Sequence, residues 1–287
     1  MGQPAAFRAH AKINVGLRVL DKRPDGFHNI ETVFHRIDVW DELSFEASEN
    51  VEVVSDDPNA PGDASNICFT AAVVLRDHLG VHDGVRIRLK KQIPVGAGLG
   101  GGSSDGAQVL RQLPGFWGYQ LTEEELRSLG LALGSDVPYF LGEGSALARG
   151  RGDMLEYFSL DIPFAIVLCY PGILVSTAWA YRQVIPATAA SRPDLRDVVL
   201  SGMRNPRVLE EALTNDFENT VFASYPNVRA IKESMVEQGA VFALMSGSGS
   251  SVYGLFEEIS EAEGTATMFR NMGYRAFVTA PSFLPSL

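Results

Sequence analysis

Pro94, Val95, Gly96, Ala97, Gly98, Leu99, Gly100, Gly101, Gly102, Ser103 and Ser104 form a run that packing does not explain, with five glycines among the seven residues 96–102. Glycine loses more conformational freedom on folding than any other residue, so such a run needs a compensating use. Phosphate binding supplies one. Backbone N–H groups bare of side chains can converge on phosphate oxygens, and a helix that starts next adds the positive end of its dipole. The alternative is a mobile linker, but a strand and a helix flank the run directly.

What stands beside the loop narrows its type. A Walker loop needs Lys followed by Ser or Thr after its last glycine, and here Ser103 and Ser104 follow Gly102. Gly96, Gly98 and Gly101 do satisfy G-x-G-x-x-G. A dinucleotide fingerprint, however, follows a fully buried parallel strand, whereas Val85-Arg-Ile-Arg-Leu-Lys90 alternates apolar and basic residues. No His-Arg-Asp or Asp-Phe-Gly set accompanies the loop, so the protein-kinase pattern fails as well. A second glycine-serine run, Ser246-Gly-Ser-Gly-Ser-Ser251, either helps to close a phosphate site or is only a hairpin turn.

Two charged residues are candidates for chemistry. Asp136, in Ser135-Asp-Val-Pro138, could orient a hydroxyl and accept its proton, or could simply cap a helix. Lys12 opens an otherwise apolar stretch and by itself reads as a solvated strand-edge lysine. The two cysteines, Cys68 and Cys169, lie far apart, and Cys169 sits in an apolar run, so both read as reduced thiols without a metal.

The elements that must position these residues follow from periodicity. Ile13, Val15, Leu17 and Val19 alternate as in a strand, and the stretches 37–45, 51–54 and 85–90 continue that pattern. Residues 67–79 read as a helix ended by Gly80, and 107–113 as a short helix after the glycine loop. Thr122-Glu-Glu-Glu125 is a capping box for a helix closed by Gly134, and Ser135 reads as the cap of the next. The chain changes character near residue 158. Beyond it come a buried strand to Tyr170, a polar stretch at 186–207, a helix at 225–238 and strands at 242–245 and 252–256. Two α+β lobes with a cleft between them are expected, as residues 1–158 and 159–287.

Composition limits the partners. Hydrophobic residues make up 46% and charged residues 21%, which predicts a conventional core. A net charge of -11 opposes nonspecific binding to nucleic acid or an anionic membrane. No apolar stretch approaches the ~20 residues a bilayer demands, and Met1-Gly2 lacks the Ser or Thr of a myristoylation start. A cytoplasmic protein is expected.

The loop at 94–105 and the run at 246–251 resemble the two glycine motifs of the GHMP kinase superfamily, to which galactokinase, homoserine kinase and mevalonate kinase belong. Ala11-Lys12-Ile13-Asn14, Arg23-Pro-Asp-Gly-Phe-His28, Gly134-Ser-Asp-Val-Pro138 and Asn215-Asp-Phe-Glu218 narrow the resemblance to its branch acting on a cytidine diphosphate-linked alcohol of the non-mevalonate isoprenoid route. Their shared order spans nearly the whole chain. Gly106 and Ser135 stand where that branch usually has Ala, and Phe27 where it has Tyr.

The resemblance implies an N-terminal ribosomal-protein-S5-domain-2-like lobe, a C-terminal ferredoxin-like lobe, and ATP with Mg²⁺. It assigns Asp136 as base or orienter, with Lys12 beside it stabilising phosphoryl charge. It assigns Phe27, His28 and Tyr181 to the cytosine ring, and Asn14 and Thr177 as polar contacts. Tyr181 could otherwise be an ordinary helix-face aromatic. Mg²⁺ is held either with help from Ser104 or by phosphates and water alone. A monomer or weak homodimer is expected. A homoserine- or mevalonate-type acceptor is the runner-up, and a catalytically silent nucleotide-binding regulator the third reading.

Overall fold

The computed structural model describes residues 5–186 and 192–285, so the part of the polar stretch at 187–191 lies outside the described residues. The chain runs β1 (Ala6–Lys22), β2 (His28–Ser48), β3 (Val51–Ser55), α1 (Ile67–Leu79), β4 (Gly84–Lys90), α2 (Gly101–Phe116), α3 (Glu123–Leu133) and α4 (Val137–Leu141). It continues through β5 (Ser145–Gly150), β6 (Met154–Phe158), β7 (Ala165–Tyr170), α5 (Thr177–Gln183), α6 (Leu195–Gly202) and α7 (Pro206–Ala212). Then come α8 (Glu218–Ser224), α9 (Pro226–Glu237), β8 (Phe242–Met245), β9 (Val252–Phe256), α10 (Ile259–Asn271) and β10 (Arg275–Thr279). The architecture is α+β, as expected.

Packing gathers these elements into two compact units that interleave along the sequence. One takes the described residues up to Ala11, with Val39–Val95 and Gly100–Glu143. The other takes Lys12–Asp38, Gly96–Leu99 and the described residues from Gly144 onward. The long strands β1 and β2 each contribute one end to each unit.

In the first unit β4 runs antiparallel to the C-terminal half of β2 and parallel to β3. Its alternation has the expected consequence. Val85, Ile87 and Leu89 are buried, while Arg86 and Arg88 reach Glu52 at 2.8 Å and Glu46 at 2.5 Å on the neighbouring strands. α1 packs on β3 and on α2. It starts at Asn66, whose side chain accepts from the Cys68 N–H, and stops at Gly80 in the left-handed region, φ 65°.

β2 begins at His28, well before the stretch read as a strand at 37–45, and two boundaries near the site also differ from the sequence reading. α2 begins at Gly101, inside the glycine run, rather than near Ala107. Glycine carries no helical signal, but a Cβ on Gly101 would lie 2.8 Å from Ile93 and one on Gly106 3.0 Å from Ile67, so close packing holds these turns. α4 takes Asp136, not Ser135, as its N-cap residue, with Pro138 in the first turn as expected. α3 has the full capping box at Thr122 and Glu125 and ends at Gly134.

The second unit contains a sheet of order β10-β7-β9-β8, antiparallel throughout, with α9 packed on β8 and β9 and α10 on β7 and β10. That order is the split β-α-β arrangement of a ferredoxin-like lobe. β7, β8 and β9 are apolar almost throughout and buried along nearly their whole length, whereas the edge strand β10 is partly exposed; the core includes Val167, Met245, Phe256 and Phe269. The same unit holds β5 and β6, added in turn to the N-terminal half of β2. Cys68 and Cys169 are free and buried, and burial pushes the Cys169 thiol up to about 12.

Candidate functional site

The glycine loop leaves β4 and leads into α2. At Gly98 the backbone is left-handed, φ 79°, and a side chain there would collide with the Ser246 carbonyl oxygen. Gly100, φ 68°, is the N-cap of α2 and offers no side chain to its first N–H groups. α1, α3, α5, α6 and α7 all have a side chain accepting from the first turn; α2 has none, and no acidic residue in that turn. The N–H groups of Gly101, Gly102 and Ser103 therefore have no capping side chain at the positive end of a 16-residue helix. That donor set suits an anion such as a phosphate. Ser104, in the second turn, is buried.

The residues of the second unit join in one buried network. The Lys12 N–H donates to the Leu99 carbonyl at 2.9 Å, which ties β1 to the glycine loop. Lys12 itself is 5% exposed. Its Nζ donates to Asn14 Oδ1 at 2.7 Å and lies 4.7 Å from the centre of the Phe34 ring. Asn14 Nδ2 donates to Thr32 Oγ1 at 2.9 Å, and the Thr32 hydroxyl donates to the Gly16 carbonyl at 2.6 Å. Asn14 is thus a strut for the lysine as much as a surface for a ligand.

The second glycine-serine run connects the antiparallel strands β8 and β9, and all of residues 246–251 are buried. Ser246 Oγ accepts from the Asn14 N–H at 3.2 Å and donates to the Gly98 carbonyl at 3.0 Å. Ser251 N–H donates to Ala97 at 3.3 Å. The hairpin turn is therefore also a support under the first loop.

Asn215, quoted in the sequence only as part of a motif, holds this support in place. Its Nδ2 donates to the carbonyls of Met245 at 2.7 Å and Gly247 at 2.8 Å, while its Oδ1 accepts from Phe217 N–H at 3.0 Å. Glu218 accepts from Met245 N–H at 2.9 Å. Residues 214–220 are polar except for Phe217, so nothing beyond the motif itself singles out Asn215.

The aromatic residues continue from there. Thr177, the first residue of α5, has its hydroxyl 3.0 Å from that of Ser248. Tyr181 follows one turn later on the same helix. It stacks on His28 with centroids 5.2 Å apart and planes 21° apart, and meets Phe217 edge-on at 4.9 Å. Burial, then the charge of Lys22, lowers the His28 pKa, so its ring is neutral at pH 7. Phe27 is 55% exposed and lies under the Arg151 guanidinium at 5.2 Å, so Tyr181 faces His28 here rather than pairing with Phe27. In the other unit, Asp136 is half-buried, and its side chain makes no capping hydrogen bond to α4.

Among the described residues no three His, Cys, Asp or Glu side chains are grouped to hold a metal ion, and no helix is long and apolar enough to cross a membrane.

Residues 66–144 match the family described as GHMP kinases N terminal domain, and residues 194–275 match GHMP kinases C terminal. The chain is 46% identical to the 4-diphosphocytidyl-2-C-methyl-D-erythritol kinase of Prosthecochloris aestuarii, over 98% of this chain and 99% of the relative. With the enzyme of the same name from Chlorobium limicola it shares 43% identity over 98% of both chains. A solved structure of a 4-(cytidine 5'-diphospho)-2C-methyl-D-erythritol kinase superposes with a TM-score of 0.81 at 34% identity, over 96% of this chain and 98% of the other. A homoserine kinase from Cytophaga hutchinsonii shares the fold, with a TM-score of 0.72 at 19% identity.

Proposed function

This chain belongs to the 4-diphosphocytidyl-2-C-methyl-D-erythritol kinase family of GHMP kinases, and on that premise we propose that it transfers the γ-phosphoryl group of ATP to the 2-hydroxyl of 4-diphosphocytidyl-2-C-methyl-D-erythritol in the non-mevalonate isoprenoid pathway. The proposed division along the sequence, an N-terminal kinase domain of residues 1–158 and a C-terminal one of residues 159–287, contains one family match in each part and differs from the interleaved division by packing. One observation carries the reading: Lys12, a buried ammonium, is tied through its own backbone to the glycine loop, whose helix start is left open to an anion.

Phosphoryl transfer asks the protein mainly for positioning and charge. The N–H groups of Gly101, Gly102 and Ser103 hold phosphate oxygens. Lys12 offsets charge on the transferring group, and Asn14 fixes its ammonium. Asp136 orients the acceptor hydroxyl and takes its proton. A loose transition state does not require a strong base, so a carboxylate serves. Phe27, His28 and Tyr181 hold the cytosine ring by stacking and by the neutral imidazole's donor and acceptor, and Thr177 adds a polar contact. Mg²⁺, when bound, neutralises charge on the β- and γ-phosphates. Its ligands would be phosphate oxygens and water, with or without the Ser104 hydroxyl.

An ADP-release assay on the purified chain, run with ATP and a panel of alcohols, tests the proposal. Turnover is expected with the cytidyl substrate and not with homoserine or mevalonate. Equal turnover with either of those would overturn the acceptor assignment. Silence with every alcohol would favour a nucleotide-binding regulator.

A further inference from the structure

A cluster of three buried charges stands at the two ends of the glycine loop and has no part in the scheme above. The side chains of Lys91, Asp41 and Asp105 are 4%, 0% and 2% exposed. Lys91 Nζ donates to Asp105 Oδ2 at 2.7 Å and also to Asp41 Oδ2. The other oxygen of Asp41 accepts from the N–H groups of Gln92 at 2.6 Å and Ile93 at 2.8 Å. Asp41 thus fixes the backbone just before Pro94, and Lys91 ties that same segment across to the second turn of α2.

A buried ion pair is a poor way to gain stability, because desolvation offsets most of the attraction and an apolar pair of similar size does as well. Its specific asset is geometry. A segment with five glycines in residues 96–102 has many conformations to lose, and closing its base removes much of that freedom before any ligand arrives. Burial alone would lower the Lys91 pKa, but Asp105 and Asp41 outweigh it and hold it raised. Burial pushes the Asp105 carboxyl well above its usual range, against the pull of Lys91, and its Oδ1 has no hydrogen-bond partner. An amide at this position would keep one oxygen for Lys91 to donate to while removing the charge.

We infer that Lys91, Asp41 and Asp105 are positioning residues that clamp the base of the glycine loop, holding its backbone donors ready for phosphate and so setting the affinity for ATP rather than the rate of transfer. The second half of this statement rests on the loop being the ATP site; the first half does not.

The test uses the full chain with Asp105→Ala, Lys91→Met and Asp105→Asn. Hydrogen exchange without ligand reads the clamp, and KM for ATP against KM for the cytidyl alcohol reads its use. In the Ala and Met variants, peptides covering residues 94–104 should exchange faster while those of β7 to β10 do not change. KM for ATP should rise about tenfold or more, with KM for the alcohol and kcat at saturating ATP within about threefold of the parent. Asp105→Asn, which keeps an acceptor for Lys91 but not the charge, should fall between the parent and Asp105→Ala in both measurements. Unchanged exchange in the loop would overturn the clamp. Faster exchange with an unchanged KM for ATP would overturn its role in nucleotide affinity, and would point away from the loop as the ATP site. If either variant fails to fold, Lys91→Arg keeps the charge but misfits the clamp, and a KM for ATP that does not rise there overturns the inference.

Discussion

Lys12 is buried at 5% exposure, and a buried ammonium is tolerable only when its donors are met. Asn14 Oδ1 and the face of Phe34 meet two of those needs from its own unit. The arrangement fixes the charge in place, as the proposed role beside a developing phosphoryl charge would require. Lys12→Ala and Asp136→Asn should each lower kcat by about 100-fold or more, with KM for ATP nearly unchanged. Steady-state kinetics on both variants check this, and near-normal turnover in either would remove that residue from the chemistry. Residues of this kind were legible to the extent that their type is unusual where they stand: a lysine entering an apolar strand, an aspartate before Val-Pro. Ser246 and Asn215 were not. Their function lies in bonds to Gly98, Met245 and Gly247, and nothing in local composition announces a partner 148 residues away.

At the scale of elements, the two glycine runs act as one layered unit because Asn215 and Glu218 fasten the β8–β9 turn from the side. Removing the Asn215 amide would leave the carbonyls of Met245 and Gly247 and the N–H of Phe217 buried and unpaired. Each unsatisfied group costs about 1–3 kcal/mol, so Asn215→Ala should destabilise the chain by about 3 kcal/mol or more. Urea unfolding measures it, and a loss under about 1 kcal/mol would mean that water replaces the amide. The elements themselves were partly legible. β4, α1 and α3 follow from alternation and caps. The start of α2 was hidden because its first turns are held by contacts with Ile93 and Ile67 rather than by helix-forming residues. β6 escaped notice because it is an edge strand with a largely exposed sequence and hence no clean alternation. α10 and β10 have weak signals for a different reason: α10 has no capping side chain and carries Gly264 inside it, and β10 is a five-residue, partly exposed edge strand.

For the molecule as a whole, the architecture was legible through the order of motifs, whereas the interleaved packing units were not, because two strands long enough to serve both units look like any strands in sequence. The pH response of the fold is likewise a property only the assembled chain shows. His35 is 5% exposed, with Nδ1 2.8 Å from the Ser145 hydroxyl, and burial lowers its pKa to about 4 against a weak opposing pull from Asp161. The native ring is therefore neutral where an unfolded histidine, with its ordinary value near 6.5, already holds a proton. Between pH 4 and 6.5 the unfolded chain binds more protons than the native one, so stability rises with pH across this window and falls as acid is added. At about 1.4 kcal/mol per pH unit the full effect is about 3 kcal/mol, complete once the pH drops below the native value. Denaturant titrations at pH 4.5, 5.5, 6.5 and 7.5 on the parent and on His35→Gln should show this difference, with a flatter pH dependence in the glutamine variant. Parallel curves for the two proteins would mean that other groups govern the acid response and that His35 gains its proton without unfolding.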